Sequence, residues 1–393
     1  MDPATYIIGS ATTEMHRRDL SAGEMATSAV AGALADAGLR ADEINLVVVG
    51  NATAGRLLDQ GCIRGQVFLA RSGLRHAGII NVDNSCAGGV SALHLAVLAA
   101  RGGAGNVLAL GVEKMWTGDR AQTLAGIEDG VPKIDREFMH AEWENESGSV
   151  LMALNARWTT EHMERWGTTP EMMAAAAVKA RRHGALNPHA QFRTEVTLEE
   201  VLSSPTIVSP LTRLMCSSFT DGAAAVIVTD RARTGAPKIR GAAVRSGNGD
   251  LDYHDRLAET ASAAWDAADV DPADIDVVEL HDATSPEEIC ALESLGLYKP
   301  GDAGPATLAG DTTLGGRGVT VNTSGGLVSR GHPLGATGIA QVAELVAQLR
   351  DEAGARQVPG ARLAVAANTG GMVGSHAGTT DAAFIGIHVL EAS

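Results

Sequence analysis

The 393-residue chain is 45% hydrophobic and 3% aromatic and contains 46 glycines, a composition that predicts a globular protein of two or three domains with a large core. Its net charge of −16 argues against a nucleic-acid surface, because phosphate contacts require clustered lysines and arginines. An anionic substrate would therefore need a local basic or amide-rich patch.

The cysteines and the apolar segments indicate the compartment. Cys62, Cys86, Cys216 and Cys290 form no CxxC pair, so we expect neither a zinc knuckle nor a disulfide framework. The N-terminal residues lack the basic and apolar regions of a secretory signal. The uncharged run 84–100 is interrupted by polar residues and is shorter than the roughly 20 apolar residues of a membrane span. These features predict a cytoplasmic protein with reduced thiols.

An internal repeat is visible along the chain. Residues 33–53 read ALADAGLRADEINLVVVGNAT and residues 264–284 read AWDAADVDPADIDVVELHDAT. With Ile44 set against Ile275, both segments predict a helix, an acidic turn, a buried strand and a small polar loop. Each is followed by a strand, a glycine-rich loop, a long helix and another strand. We therefore expect two α/β halves with parallel sheets covered by helices on both faces.

The repeat also sets the expected domain boundaries, a first half at 1–249 and a second half at 250–393. Residues 116–216 differ from both, since they carry four of the five tryptophans and many charges. A Thr-Pro cap signal opens the segment TPEMMAAAAVKARRHG and predicts a helix there. We interpret this region as a helical and loop insertion that supplies walls for a substrate. The candidate wall residues are Trp116, His140 and Trp143.

Cys86 lies in NVDNSCAGGVSALHLAVLAA, between a predicted buried strand and an almost uncharged helix. A cysteine at this point presents its sulfur at a helix N-terminus, where the helix dipole and free N–H groups favour a thiolate. The alternative is a small buried apolar side chain, which is the commoner role of a cysteine. The pattern around Cys86 leaves both interpretations open.

Three further segments place polar groups where chemistry is expected. His332 in GHPLGATG occupies a glycine-rich turn before a predicted helix, as a candidate base for a thiol proton or as a surface-turn residue. His281-Asp282 follows a buried strand, where α/β sheets place ligands, although HDATSPEE is also typical of a helix cap. The segment 368–378, NTGGMVGSHAG, offers backbone N–H groups to an oxyanion or forms an ordinary turn between strands.

These segments resemble the thiolase superfamily in order and spacing, over essentially the whole chain. The likeness is in particular to the sterol-carrier-protein-X type of thiolase, which has HD where other thiolases have NE. The resemblance implies two βαβαβαββ units around a five-layered α-β-α-β-α core, usually in a dimer. The motifs are NSCAGG around Cys86, GVEKM at 111–115, CSSFTDGAAAVIV at 216–228, HDAT at 281–284, NTSGGLVSRGHPLGATG at 322–338 and NTGG at 368–371.

The resemblance implies roles for individual residues. Cys86 matches the nucleophile that accepts an acyl group, and His332 matches the histidine that activates it and helps to bind the thioester oxygen. His281 matches the histidine beside that oxygen, and the backbone N–H groups of Cys86 and Gly370 match a second oxyanion hole. The implied reaction is acyl transfer from an acyl-CoA to Cys86 and attack by a carbon nucleophile, or the reverse, thiolytic cleavage of a 3-oxoacyl-CoA.

The sequence departs from this family at the second catalytic cysteine, an acid/base group. Many thiolases carry it in the last motif as C-x-G-G, where this chain has Asn368, and X-type relatives carry it after HD, where this chain has Ala283. Three explanations are open: a histidine such as His281 or His140 replaces it, a sufficiently acidic carbon nucleophile needs little help, or the protein needs a partner. We keep His140 and Asn368 as candidates for an acid/base or pocket role.

The leading hypothesis is therefore a thiolase-like acyl-CoA C-acyltransferase, a cytoplasmic homodimer that uses coenzyme A esters as substrates and holds no permanent cofactor or metal. A second hypothesis is a retro-aldolase or degradative thiolase that acts on a bulky CoA ester with a small zinc-ribbon/OB-fold partner. Several X-type relatives work beside such a protein, and this chain has no CxxC pair to supply one itself. A third is a non-catalytic acyl-CoA or lipid-binding protein, which would need neither Cys86 nor His332.

Overall fold

The computed structural model describes residues 4–17, 19–143 and 149–393. Its strands are β1 Thr5–Thr12, β2 Leu46–Gly50, β3 Gly78–Val82, β4 Val107–Glu113, β5 Thr206–Val208, β6 Leu211–Thr212, β7 Gly222–Thr229, β8 Lys238–Arg245, β9 Val277–Leu280, β10 Thr320–Val321, β11 Leu363–Val373 and β12 Asp381–Glu391.

The helices alternate with these strands in both halves of the chain. They are α1 Ala22–Ala37, α2 Ala54–Leu57, α3 Arg64–Phe68, α4 Gly88–Ala99, α5 Arg120–Glu128, α6 Lys133–Glu142, α7 Val150–Trp166, α8 Pro170–Leu186, α9 Leu198–Ser203, α10 Tyr253–Ala268, α11 Ser285–Ser294, α12 Ala303–Leu308, α13 Gly326–Ser329 and α14 Leu334–Leu349. None of the described helices is long and apolar enough to cross a membrane.

The main sheet contains the same five-stranded arrangement twice. Its order is β10-β9-β11-β12-β8-β1-β7-β4-β2-β3. Outward from the middle, the first half runs β1-β7-β4-β2-β3 and the second half runs β8-β12-β11-β9-β10, so the strands correspond one to one. Strands β1 and β8 join the halves where Thr5 pairs with Ile239 and Tyr6 pairs with Lys238. The doubled α/β architecture expected from the repeat is confirmed.

The register of the repeat is confirmed at Ile44 and Ile275. Each isoleucine ends a short 3₁₀ turn and donates its N–H to the carbonyl three residues earlier, Ala41 in the first half and Pro272 in the second. In both halves the buried strand, β2 or β9, begins two residues later.

Side-chain alternation along the strands divides the interior into separate cores. In β2, Val47 and Val49 pack in the core that contains α1, whereas Val48 packs in the core that contains α4 and α14. In β11, Ala366 faces the same two helices, whereas Ala367 packs in the core that contains α10 and α11. Because residues i and i+1 of a strand point to opposite faces, each half-sheet is covered on both sides. The layers are α1, the first half-sheet, α4 with α14, the second half-sheet, and α10 with α11.

The structure corrects two details of the sequence analysis. Only β2, β3 and β4 of the first half and β9, β10 and β11 of the second pair in parallel, and β1, β7, β8 and β12 pair antiparallel. The parallel prediction failed for these four strands because apolar runs report burial on both faces, not strand direction. The segment 368–371 is not a turn after the last core strand, since it lies within β11, where residues 368–370 pair with β12.

The predicted insertion forms helices α5 to α9 and the small β5–β6 ribbon. Helix α8 begins at Pro170 after Thr169, whose hydroxyl accepts the N–H of Met172, as the Thr-Pro signal predicted. The domain boundary at 249/250 stays a prediction, and β8 at Lys238–Arg245 already pairs with β12 of the second half-sheet.

Candidate active site

Cys86 lies in the tight turn between β3 and α4. The N–H of Ala87 donates to the Asn84 carbonyl and that of Gly88 donates to the Ser85 carbonyl, both at 3.0 Å. Ser85 adopts a left-handed conformation with φ +51°, which is uncommon for a residue with a side chain. The turn places the Cys86 side chain, 8% exposed, directly before the N-terminus of α4.

Glycines bring the starts of the two central helices together. A Cβ on Gly89 of α4 would lie 2.6 Å from the carbonyl oxygen of Gly335 in α14, and one on Gly111 of β4 would lie 2.3 Å from the same oxygen. Only residues without a Cβ allow backbones to approach this closely. The loop before α14, which carries His332, therefore lies beside the turn that carries Cys86.

His332 is held in that loop by threonines. Its Nδ1 is 2.8 Å from the Thr337 hydroxyl on the first turn of α14, and its backbone N–H donates to the Thr220 hydroxyl at 3.3 Å. Burial, together with the positive charges of His281 and Arg330, lowers the pKa of His332 well below its ordinary value. A neutral imidazole with Nδ1 already bonded has Nε2 left to accept a proton.

Two buried carboxylates connect the remaining motifs to this loop. Glu113 of GVEKM accepts the N–H groups of Ala52, Thr53 and Gly335, which ties the loop after β2 to the start of α14. Asp221 of CSSFTDGAAA accepts the N–H of Met115 at 2.8 Å and lies 2.6 Å from the Lys114 ammonium. Both segments therefore fix the geometry of the loops around Cys86, and Met115 and Phe219 from them also pack against the cysteine.

His281 follows β9 and faces His332. The two rings are nearly perpendicular, with centroids 5.1 Å apart. The Nδ1 of His281 is 3.0 Å from Oε1 of Glu287. Burial disfavours a charged ring, but the Glu287 carboxylate and the nearby Cys86 sulfur outweigh it and raise the pKa of His281 to about 10. The Nε2 of this imidazolium has no hydrogen-bond partner among the described residues.

The three predicted residues form one cluster. The sulfur of Cys86 and one ring nitrogen each of His281 and His332 all lie within 4.8 Å of one another. The cluster thus combines a thiol, a neutral imidazole and a protonated imidazole with an unpartnered N–H. A neutral ring beside a protonated one can serve nucleophilic chemistry, as a base and an oxyanion donor respectively.

The cluster opens into a cavity of about 570 Å³. Much of its apolar wall comes from the insertion, with Leu124 and Ile127 on α5 and Leu151, Leu154 and Trp158 on α7. The insertion therefore lines the cavity, as the sequence suggested.

The cavity is also lined by arginines, which provide the local basic patch that the acidic chain requires for an anionic substrate. Arg17 and Arg213 are exposed and Arg181 is half-buried. Arg17 lies over the Trp116 ring at 4.1 Å, and Arg181 lies over the Phe192 ring at 4.6 Å. Positive charge is thus concentrated where the cavity meets solvent.

Several candidate residues lie elsewhere. His140 is exposed on α6, 3.6 Å from Glu128, and does not line the cavity. Asn368 is fully buried in β11 and does not line it either. Trp116 contacts Arg17 outside the cavity lining, and Trp143 borders a separate surface pocket, so Trp158 is the tryptophan of the cavity. Neither His140 nor Asn368 lines this cavity, and their acid/base or pocket role stays a prediction.

Other cavity residues were missed at the sequence level. Glu287, on the first turn of α11, accepts from Tyr253 at 2.8 Å and from the Ala283 N–H at 3.0 Å, in addition to its contact with His281. Tyr253 also bonds the Thr369 hydroxyl at 2.9 Å. The only sequence signal was the acidic HDATSPEE segment, which we interpreted as helix-cap chemistry.

The chain has the fold of solved thiolases. The chain superposes on the human mitochondrial 3-ketoacyl-CoA thiolase with a TM-score of 0.70 and 16% identity, covering 100% of this chain and 99% of the other. It superposes on a chain of the Ltp2-ChsH2(DUF35) aldolase with a TM-score of 0.80 and 22% identity, covering 99% and 98%. At these identities the structures establish the fold.

The sequence matches establish the family. Residues 5–232 match the model "Thiolase, N-terminal domain" and residues 245–380 match "Thiolase C-terminal domain-like". The chain is 39% identical to acetyl-CoA acetyltransferase of Methanothermobacter thermautotrophicus, over 91% of this chain and 94% of the relative. It is 35% identical to sterol carrier protein 2 of Gallus gallus, over 94% and 70%, and 34% identical to benzoylsuccinyl-CoA thiolase subunit BbsB of Thauera aromatica, over 94% and 96%.

The chain therefore belongs to the thiolase family. It is an acyltransferase of thiolase type, whose chemistry makes or breaks a carbon–carbon bond next to a thioester.

Proposed function

We propose that the protein works through a covalent acyl-enzyme on Cys86. The observation that carries this is the cluster of Cys86, His332 and His281, with reactive atoms within 4.8 Å at one end of a cavity of about 570 Å³. His332 accepts the thiol proton as the sulfur attacks the thioester carbonyl of an acyl-CoA. Collapse of the tetrahedral intermediate expels the coenzyme A thiolate, which takes up that proton and leaves the acyl group on Cys86.

Two separate sets of hydrogen-bond donors stabilise the thioester oxygens that become negatively charged in these steps. The protonated His281 and the ring of His332 face one thioester oxygen, and the backbone N–H groups of Cys86 and Gly370 form a second oxyanion hole. The packing of Gly370 supports this role, since a Cβ there would lie 2.2 Å from the Asn84 carbonyl and 2.3 Å from the Ala87 nitrogen. The backbone of β11 therefore borders the nucleophile turn directly.

The second half-reaction uses a carbon nucleophile or coenzyme A. Attack by a carbanion next to a thioester on acyl-Cys86 forms a 3-oxoacyl-CoA, and coenzyme A reverses the sequence by thiolysis. Coenzyme A and its esters are thus substrates, and the scheme uses no permanently bound cofactor. The arginines at the cavity suit the phosphates of coenzyme A, and the apolar wall from α5 and α7 suits an acyl group of appreciable size.

A degradative or retro-aldol reaction on a bulky CoA ester is the second candidate function. It is favoured by Ala283 and Asn368, which offer no thiol at either position where relatives carry the second cysteine. The structural neighbour named as an Ltp2-ChsH2(DUF35) aldolase supports a partner protein for this chain too, and the family resemblance suggests that it is a small zinc-ribbon/OB-fold protein. Co-expression should then recover that partner with the enzyme. Retro-aldol turnover should release an aldehyde or ketone without consuming free coenzyme A, whereas thiolysis should consume one coenzyme A for each bond cleaved.

We also propose that the protein is a homodimer and that it is cytoplasmic. Strand β3 is an edge of the main sheet and leaves Ile80 46% exposed, and α4 leaves Leu98 49% exposed. An exposed apolar sheet edge is a surface that a second copy can cover. The cysteines are free thiols, which suits a reducing compartment.

The acyl-enzyme is tested by mass spectrometry of the intact protein. Incubation with a panel of acyl-CoAs, from acetyl-CoA to branched and aromatic esters, should add the mass of one acyl group, and peptide mapping should locate it on Cys86. Coenzyme A should then discharge the adduct. A wild-type protein that stays unmodified across the panel while binding the ligands would favour the non-catalytic acyl-CoA-binding alternative.

Glutamine in place of Glu287 should shift the alkaline limit of activity to lower pH. In the wild type, His281 has a pKa of about 10 and stays protonated across the neutral range. Without the carboxylate, burial dominates and lowers the pKa of His281, so the imidazolium is lost as the pH rises. We expect about a 10²–10³-fold loss of kcat/KM at pH 8, typical of removing an oxyanion donor, and less at acidic pH.

The measurement is the pH profile of kcat/KM from pH 6 to 10 for the wild type and Glu287→Gln. Glu293→Gln is the matched control, because Glu293 lies on the same helix and contacts His162 at 2.9 Å outside the cavity lining. An alkaline limb that does not move in Glu287→Gln would contradict a charged His281.

A further inference from the structure

The geometry leaves a proton transfer without an assigned group. Making or cleaving the carbon–carbon bond requires a proton to leave or join the carbon next to the thioester. Ala283 has no titratable atom, and Asn368 lies outside the cavity lining. Cys216 lines the cavity, but its thiol donates to the Thr212 carbonyl at 3.4 Å and burial raises its pKa to about 12.

Tyr253 is placed to meet this need. It is the first residue of α10, it lines the cavity, and it is only 4% exposed. Its hydroxyl is 2.8 Å from Oε1 of Glu287 and 2.9 Å from the hydroxyl of Thr369, the neighbour of Gly370. The Trp158 ring stacks on the phenol with centroids 4.5 Å apart, which fixes its orientation. At the wall of the cavity, the hydroxyl therefore lies between Glu287 and Thr369, next to the β11 backbone that borders Cys86.

Tyr253 and Glu287 together can do what neither does alone. Burial and the negative charge of Glu287 raise the pKa of Tyr253 well above its ordinary value, so the phenol does not ionise by itself near neutral pH. Glu287 is already hydrogen bonded to the phenol and can receive its proton directly. The same Oε1 is 3.0 Å from Nδ1 of His281, whose Nε2 is the unpartnered donor described above.

Resting on the acyl-CoA chemistry proposed above, we propose that Tyr253 and Glu287 form the proton relay that replaces the missing second catalytic thiol. In the synthetic direction, the C–H bond next to the thioester breaks and its proton passes to the Tyr253 oxygen, as the phenolic proton passes to Oε1 of Glu287. The bonding electron pair stays on the substrate as an enolate, whose negative charge lies on the thioester oxygen. In cleavage, Tyr253 protonates the leaving enolate and recovers a proton from Glu287.

Charge is conserved around His281 in this step. Before transfer, the imidazolium is paired at Nδ1 with the Glu287 carboxylate. After transfer, Glu287 is neutral and the new negative charge lies on the enolate oxygen at the Nε2 side of the same ring. The imidazolium therefore keeps one anionic neighbour throughout, which avoids leaving an unpaired charge in a buried site. Tyr253 touches the substrate in this scheme, whereas Glu287 stores the proton.

The experiment measures proton exchange separately from acylation. The wild type in D₂O should incorporate deuterium next to the thioester carbonyl of an acyl-CoA that acylates Cys86. Tyr253→Phe keeps the ring against Trp158 and should lower this exchange by about 100-fold or more, the range of a general acid–base contribution. The rate at which Cys86 becomes acylated should stay within a few-fold of the wild type. Tyr6→Phe, on β1 and outside the cavity lining, is the matched control.

A rescue variant tests whether Tyr253 acts specifically in proton transfer. Ala283→Cys places a thiol where X-type relatives carry one, and it should restore exchange in the Tyr253→Phe background while the fold is unchanged by circular dichroism. The relay is overturned if Tyr253→Phe exchanges protons at the wild-type rate. It is also overturned if Tyr253→Phe loses both proton exchange and the acylation of Cys86. A wild type that forms no Cys86 adduct at all overturns the acyl-enzyme proposal, which is a different result.

Discussion

The Cys86→Ala protein is expected to form no acyl adduct and to lose turnover by a factor on the order of 10⁴–10⁶, the scale seen when a catalytic nucleophile is removed. The reason is that no other described thiol shares the position of Cys86 between His281 and His332. The measurement is the intact mass after incubation with an acyl-CoA that labels the wild type, combined with the steady-state rate. Thermal unfolding should show a folded variant, because the change removes a single sulfur atom.

Cys216→Ala is the matched control for this experiment. Cys216 lines the same cavity, but its thiol already donates to the Thr212 carbonyl, and burial raises its pKa to about 12. Cys216 is therefore protonated and unreactive near neutral pH, and its replacement should leave the adduct in place. An adduct that persists in Cys86→Ala and disappears in Cys216→Ala would move the nucleophile to the other thiol.

Cys86, His281 and His332 could be brought together from the sequence because the fold is a repeat. Cys86 and His332 occupy corresponding positions, each before the central helix of its half. Two similar halves that pack around those helices must bring these loops together, and His281 follows the strand that corresponds to β2. The glycines at 89 and 335, visible in the sequence, are what lets α4 and α14 approach.

The walls of the cavity could not be predicted in the same way. Residues 116–216 have no counterpart in the second half, so the repeat gives no information about which helix faces the site. Residue type alone favours His140 and Trp143 as wall residues. In the structure α6 leaves His140 exposed, whereas α7 presents Leu151, Leu154 and Trp158 to the cavity. These three residues share one helix face, but only packing against the core shows where that face points.

Glu287 and Tyr253 were missed for a different physical reason. Both lie on the first turn of a helix, where an acidic or polar side chain has an ordinary explanation as a cap. What gives them another role is a set of contacts between elements: Tyr253 on α10, Glu287 on α11, Thr369 on β11 and the ring of His281 after β9. No spacing in the sequence encodes contacts across four elements of the second half.

Replacing His332 by alanine should slow acylation of Cys86 by about 10²–10⁴-fold, the usual contribution of a general base. The neutral ring that accepts the thiol proton is lost, whereas His281 remains protonated and cannot take over, because its pKa of about 10 leaves it without a free nitrogen lone pair at neutral pH. The measurement is the rate of adduct formation by quenched mass spectrometry. Added imidazole should restore part of the rate, because the cavity has room for a small base beside Cys86.

His140→Ala is the control for His332→Ala, and it also tests the alternative acid/base considered from the sequence. His140 lies exposed on α6 beside Glu128, outside the cavity lining, so its removal should leave both acylation and proton exchange unchanged. Acylation at the wild-type rate in His332→Ala would contradict the assignment of the base. A loss in His140→Ala instead would mean that α6 closes over the cavity during turnover. The two variants thus distinguish two candidate bases. One is His332, which Thr337 holds at the start of α14, and the other is His140, which would have to move to reach Cys86.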